Sequence, residues 1–231
     1  MIAALAAAAA VLCAGAYAYW RYVWFFRDPP RVAPAEPGLL SPADGTVVYV
    51  RRVAPGEDVV VIKQGVKATV RDLMREDFDQ EKLVIGIFMS PLDVHYNRAP
   101  LTASVGFVRH HPSTGGNGNV NMGAMQWRTL AGLEPRYAGS MHIVQNERTV
   151  TQFLGEYRGA WIACYVVQIG AMAVNGIESW HAPGERVARG ATFGMIRVGS
   201  QVDLIVPWRE GYEVRVRPGD RVSAGETIVL R

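Results

Sequence analysis

With 231 residues, 49% of them apolar and 19% charged, the chain can bury one sizeable domain plus a small appendage, which excludes wholesale disorder. Its two cysteines, Cys13 and Cys164, are too few and too far apart for a disulfide framework or a zinc site, and both are expected to be buried apolar side chains. The net charge of +3 comes mainly from arginine, since the only lysines are Lys63, Lys67 and Lys82; it is too mild for a nucleic-acid binder, while arginine forks suit phosphate and carboxylate.

Residues 1–20, MIAALAAAAAVLCAGAYAYW, carry no side-chain charge, and Arg21 and Arg27 follow. Twenty helical residues rise about 30 Å, the hydrocarbon thickness of a bilayer. Tyr17, Tyr19, Trp20, Tyr22, Trp24, Phe25 and Phe26 read as an aromatic belt at one interface. A secretory signal would begin with a basic region, which is missing, so residues 1–27 are expected to be a retained membrane anchor. The positive residues on its carboxyl side put the remainder in the cytoplasm, on the inner face of the cell membrane. Pro29 and Pro30 stop the helix, and 28–40 reads as a proline-rich linker into a domain over 41–231.

From Ser41 onward the sequence predicts short strands at 46–50, 58–64, 82–89, 103–110, 149–155, 161–170, 192–198, 201–207, 212–217 and 227–231, with a short helix around 70–77. Residues 112–127 hold many glycines and asparagines and read as a mobile loop, a lid or membrane contact through Met122, Met125 and Trp127. PGERVARGATF (183–193) and PGDRVSAGETI (218–228) repeat one unit of turn, short strand, turn and strand. That unit resembles the hairpins of biotinyl- and lipoyl-type barrels, but no lysine follows Lys82, so neither copy can carry a swinging arm. The expected fold is mainly β: a barrel or sandwich with such hairpin repeats, one or two short helices, and the amino-terminal anchor helix.

Four stretches hold the polar residues fit for chemistry. SPADGTV (41–47) places Asp44 and Gly45 in a turn before a strand. SPLDVHYNRAP (90–100) gathers Asp93, His95, Asn97 and Arg98 after a hydrophobic strand, and NERT (146–149) precedes another. RVGSQVDL (197–204) sets Gly199–Ser200 between two apolar runs; Gly139–Ser140 lacks such flanks.

Taken in order, FFRDPPR, PADG, SPxDxH, NER and VGS resemble the phosphatidylserine decarboxylase family, in its short bacterial and archaeal form, over residues 24–231. The resemblance implies autocatalytic cleavage between Gly199 and Ser200 into a β chain, 1–199, and an α chain, 200–231. It implies that Ser200 becomes a covalent pyruvoyl group whose ketone forms a Schiff base with the substrate amine, with no metal and no dissociable cofactor. It further implies decarboxylation of phosphatidylserine to phosphatidylethanolamine at a membrane, by an α/β heterodimer, alone or in a larger homo-oligomer. Asp44 matches the aspartate of the PADG motif, assigned to activation of the serine, and His95 matches the first histidine of a motif that longer members write as DxHRxH. The second histidine falls on Arg98 here, which leaves two assignments for the base: His95 in both roles, or Asp44 with less help. Arg98 could hold the lipid phosphate or the substrate carboxylate, or pair with Asp93. Glu147 and Arg148 read as a structural ion pair, His142 as an outsider to the site, and His110 and His111 as strand-end residues. An ether-linked, archaeal-type substrate and a non-enzymatic membrane-anchored adaptor are the competing functions.

Overall fold

The protein is described here by a computed structural model covering residues 1–231 apart from 64–65, 115–123, 125–126, 130, 134–140, 172–175 and 198–199, with the backbone alone at 61–63, 66 and 200. Helix α1 (Ile2–Tyr19) follows from an alanine-rich run, alanine being the best helix former, and continues through one π-turn at Trp20–Trp24. None of α1 is buried, and Ile2–Trp24 is, among the described residues, the one helix long and apolar enough to cross a membrane. The aromatic cluster divides: Tyr17, Tyr19, Tyr22 and Trp24 are exposed, whereas Phe25 is fully buried. Cys13 is exposed, against expectation, because α1 is not buried by any described residue; Cys164 is buried and its thiol pKa is pushed up by desolvation.

The rest of the chain is mainly β, as its short β-branched runs foretold. In order come β1 (Leu39–Leu40), β2 (Gly45–Val53), β3 (Asp58–Lys63), β4 (Val66–Thr69), helix α2 (Val70–Met74), β5 (Lys82–Met89), β6 (Tyr96–Arg98) and β7 (Ala103–His111). Helix α3 (His142–Gln145) then leads into β8 (Arg148–Tyr157), β9 (Ala160–Ile169), β10 (Ile177–Ser179), β11 (Arg186–Val187) and β12 (Thr192–Ile196). Finally come β13 (Ser200–Pro207), β14 (Arg221–Val222) and β15 (Ile228–Leu230). The expected strand at 212–217 reduces to an isolated bridge of Val214 with Leu230 of the three-residue β15.

Eight strands form a curled sheet in the order β11-β7-β8-β9-β13-β5-β2-β14. Its central strands read as unbroken apolar runs because both faces are covered. Leu83, Ile85, Ile87, Val202, Leu204, Cys164 and Val166 point into one core, closed over by Phe193, Ile196 and Val229. Val84, Tyr49, Val167 and Ile205 point into the other, under Val70, Leu73 and Met74 of α2 and Ile143 of α3.

The registers reveal an internal duplication wider than the hairpin repeat. Thr46 pairs with Phe88 and Arg221, and Ser104 pairs with Leu154 and Arg186 in the same manner. Each of β2 and β7 carries a bulge at the same step, between Val47 and Tyr49 and between Val105 and Phe107. The two halves meet at β9 and β13, where Asp203 opposite Val167 and Ile205 opposite Tyr165 are equivalent pairs. Close to the pseudo-twofold axis, Leu40 N–H donates to Pro100 O at 2.9 Å and Arg98 N–H donates to Pro42 O at 3.0 Å. Thus β2, β5, β13, β14 and β15 correspond to β7, β8, β9, β11 and β12.

Candidate active site

Strand β13 opens at Ser200, with Ser200 opposite Met89 and Gln201 between Phe88 and Ile169. It therefore starts inside the sheet rather than at an edge. Gly199 lies outside the described residues, as do Gly139–Ser140, Met122 and Met125; Trp127 is exposed. The cross-strand row Gln201–Phe88–Thr46 brings the segment before β2 to the same end of the sheet. With strands about 4.8 Å apart, Asp44 stands two strands, about 10 Å, from the start of β13.

Asp44 is held by both oxygens: Oδ1 accepts from Ala224 N–H at 2.7 Å and Oδ2 from Arg31 at 2.8 Å. Burial raises its pKa, the nearby Asp93 adds to the rise, and Ala224 N–H and Arg31 oppose it. Gly45, next in sequence, must be glycine, because a Cβ there would sit 2.2 Å from Phe88 O. That close approach docks the Asp44 turn against the end of β5.

His95 lies in the loop after β5, fully buried. Its Nδ1 is 2.9 Å from Asp93 O, an acceptor only, so Nδ1 carries the proton in the neutral ring. Nε2 is then a bare lone pair, buried without a partner among the described residues. Burial lowers the His95 pKa to about 4; the Asp93 carbonyl and carboxylate oppose the fall and Arg27 adds to it. The His95 carbonyl accepts from Ile196 N–H at 3.2 Å, which ties the loop to the end of β12 just ahead of Ser200.

Arg98 does not pair with Asp93. Its guanidinium reaches Asp28 and, at 3.1 Å, the carbonyl of Gly190. Asp93 instead takes Arg221 and accepts from Ser90 N–H, because Arg221 on β14 runs alongside the turn at Ser90–Asp93. This end of the sheet thus carries Arg27, Arg31, Arg98 and Arg221 around Asp28, Asp44, Asp93 and Glu226.

His142 lies under the strand that Ser200 opens, on the face shared by Gln201, Asp203 and Ile205. It is fully buried, and its Nε2 is 2.8 Å from Gln201 Oε1, one residue past Ser200. The Gln201 amide donates to Tyr49 Oη at 2.8 Å and to both Asp203 oxygens, and Tyr49 donates to Asp203. Burial lowers the His142 pKa to about 4 and raises that of Asp203 to about 7. The alternation of Gln201 and Asp203 in an apolar strand was a readable sign of a buried polar row; nothing around His142 in sequence pointed to it. Arg148 also departs from expectation: its guanidinium donates to the carbonyls of Asp72, Leu73, Ile143 and Asn146, tying α2 and α3 to β8.

A buried histidine, a desolvated aspartate and a serine opening a central strand thus form the candidate site. The family profile described as phosphatidylserine decarboxylase matches residues 19–230. The chain belongs to the phosphatidylserine decarboxylase family. It is 34% identical over 210 residues to the phosphatidylserine decarboxylase proenzyme of Symbiobacterium thermophilum, covering 90% of this chain and 78% of that one. It is 35% identical over 208 residues to a Methanocaldococcus jannaschii protein described provisionally as an archaetidylserine decarboxylase proenzyme, covering 90% and 87% of the two chains. The Nitratidesulfovibrio vulgaris phosphatidylserine decarboxylase proenzyme is 32% identical over 213 residues, or 92% of this chain and 78% of its own. A decarboxylase family of proenzymes is therefore the setting in which this site acts.

Proposed function

We propose that the protein is a self-processing decarboxylase that converts phosphatidylserine to phosphatidylethanolamine at the cytoplasmic face of the cell membrane, with a pyruvoyl group made from Ser200. The observation that carries the reading is the place of Ser200 in the sheet. Residues 200–231 supply β13, β14 and β15, which pair with β5 and β9, with β2 and with β1 of residues 1–199. A cut before Ser200 would leave both pieces in one body, an α/β heterodimer.

In the cleavage, the Ser200 hydroxyl oxygen bonds to the Gly199 carbonyl carbon, the C–N bond breaks and the nitrogen takes a proton, leaving an ester. Loss of the Ser200 α-proton with cleavage of the Cβ–O bond frees the Gly199 carboxylate and leaves dehydroalanine. Water then hydrolyses its imine form to the ketone and ammonia. A serine hydroxyl is a weak nucleophile and needs a proton acceptor. Neutral His95 offers its unpartnered Nε2 for that task. Asp44, desolvated and bonded to Ala224 N–H, holds the turn of the α-chain segment beside β2.

A pyruvoyl group supplies an electrophilic ketone next to an amide carbonyl, an electron sink for the bond to a departing carboxylate. The residues present fit that group: His95 is buried, neutral and free at Nε2, so a proton can be held in dry surroundings. Of the arginines paired with carboxylates at this end, Arg98 is the one we assign to the substrate phosphate or carboxylate: Arg31 is held by two carboxylates and Arg221 by the buried Asp93, whereas Asp28, the carboxylate partner of Arg98, is partly exposed and easier to exchange. The exposed apolar helix supports attachment to the lipid surface where such a substrate resides.

Intact mass of the purified protein tests the reading. Two fragments are expected, the smaller beginning at a blocked residue 200, and Ser200→Ala is expected to give one uncleaved chain without activity. Splitting of the Ser200→Ala protein at the same place would overturn the assignment. An ether-linked substrate is the second reading, favoured by the 35% identity to the archaeal relative. Turnover of ester- and ether-linked phosphatidylserine side by side separates the two.

A further inference from the structure

A tether would leave the anchor and the catalytic domain with little in common, yet the residues that follow α1 fold onto the loop that carries His95. Phe25, the one buried residue of the first 27, lays its ring over the His95 imidazole, with centroids 4.3 Å apart and planes tilted by 38°. Trp20 and Phe26 pack edge-on around Phe25 at 6.1 and 5.3 Å. Trp20 Nε1 donates to Pro91 O at 3.2 Å, and Arg27 donates to Leu92 O at 2.5 Å while stacking on Trp24 at 4.2 Å. Asp28 then takes Arg98, three residues past His95.

We propose that residues 20–28 form a positioning element of the active site, in which Phe25 seals His95 from water and fixes the plane of its ring. The inference rests on the use of His95 proposed above. Three edges of the imidazole environment are then accounted for: Nδ1 is tied to Asp93 O, one face is covered by Phe25, and Nε2 is left as the single open polar atom. The charged groups that act on the ring are Asp93 from its own loop and Arg27 from the juxtamembrane segment, of opposite sign. Their effects offset in part, so burial decides the protonation state, and Phe25 supplies a face of that burial. Residues 20–28 also continue the helix that reaches the lipid, so attachment to the membrane and the setting of His95 depend on one stretch of chain.

The test uses the full chain in detergent micelles containing phosphatidylserine. Phe25→Ala is expected to lower kcat at least tenfold at pH 7 with KM changed less than threefold, and Phe25→Leu to recover most of the loss. The acidic limb of its pH profile is expected to move up by at least one unit, toward the ordinary histidine range near 6.5. Val23→Ala, exposed on the same segment, serves as the matched control. An acidic limb that superimposes on that of the parent, or a rise in KM with kcat unchanged, would overturn the proposal. Where Phe25→Ala fails to process, NMR titration of His95 in the uncleaved Ser200→Ala background decides: a His95 pKa equal with and without Phe25 refutes the sealing role. His95→Gln separates the two layers, since normal turnover there removes the catalytic use of His95 and leaves the titration result standing.

Discussion

The two halves of the sheet share their registers, their bulges and their hairpin repeats, and they differ at one end. In the half built on β7, β8 and β9, strand β8 turns directly into β9 through Arg158 and Gly159, with φ of 53° and 76° and Tyr157 opposite Ala160. Positive φ at both central residues is the mark of a tight hairpin whose twist matches its strands. In the other half the equivalent strands, β5 and β13, are not joined. The chain leaves β5 after Met89 into the loop bearing Asp93 and His95, and it enters β13 at Ser200 from the direction of β12. Where the hairpin is closed, the pseudo-equivalents of Asp44, Gly199 and Ser200 are Thr102, Trp161 and Ile162. The opened end gains room for a polar loop and for the strand start where cleavage is proposed, with ladders on both sides of the strand. One scaffold thus yields a closed end and an open one.

The largest expected effect separates these ends. Asp44→Asn is expected to slow appearance of the two fragments at least 100-fold, because it removes a charge that is desolvated, pairs with Arg31 and anchors Ala224. Thr102→Val, its counterpart on the closed end, should leave processing within threefold. Time courses of intact mass after expression at low temperature compare them directly. Equal slowing in both variants would mean that Asp44 acts through the stability of the sheet alone.

Much of this architecture is written in local sequence, and the unread part has physical reasons. Strands such as 82–89 were legible because continuous burial demands an unbroken apolar run, and the hairpin repeat because Gly190 and Gly225 occupy equivalent turns. The larger duplication was hidden, since burial fixes polarity and size more than identity: Thr46 and Ser104, or Tyr49 and Phe107, satisfy equivalent positions without resembling a repeat. Of the candidate site, the order of motifs gave Asp44, His95 and Ser200. It could not give His142, whose meeting with Gln201 depends on α3 folding beneath β13, nor Phe25, which composition assigns to a membrane belt. Of the alternatives for Arg98, the pair with Asp93 is excluded only by the fold, since β14 supplies Asp93 with Arg221 and Asp28 takes Arg98.

A second contrast concerns the opposite end of the same strands, where β5 and β8 each begin with a buried cation. Lys82 meets Asp77 and donates to Phe78 O at 2.8 Å, while Arg148 spreads over carbonyls from α2, α3 and the turn before β8. Burial lowers the Arg148 pKa to about 9, so it is still charged at neutral pH. Arg148→Leu leaves several buried carbonyls without a donor and is expected to destabilise the uncleaved protein by about 3–5 kcal/mol. Lys82→Met strands one carbonyl and the nearly buried Asp77, and about 1–3 kcal/mol is expected. Urea unfolding of both variants in the Ser200→Ala background gives the order; a larger loss at Lys82 would reverse the comparison.

The smallest expected effect lies in the polar row beneath β13. On the closed half, Phe107 and Tyr165 stand where Tyr49 and Asp203 stand on the open half, so an aromatic pair replaces a buried carboxylate. An acid whose folded pKa is raised to about 7 by burial is protonated in the native state while the unfolded chain ionises near 4. Asp203 therefore favours folding fully below about pH 4, and that contribution is lost as pH rises to about 7. His95 and His142 act in the opposite sense. With folded pKa values near 4 and unfolded values near 6.5, their neutral burial is free of penalty above pH 6.5 and becomes unfavourable as pH falls toward 4. Two histidines outweigh one aspartate, so the uncleaved protein should be more stable at pH 7 than at pH 5, by about 2 kcal/mol. Asp203→Asn removes the opposing slope and should widen that difference by about 2 kcal/mol more, whatever its effect at either pH alone. Unfolding curves at the two pH values check it. An unchanged difference would mean that Asp203 is ionised in the native protein, with Tyr49 and Gln201 sufficient to hold the charge.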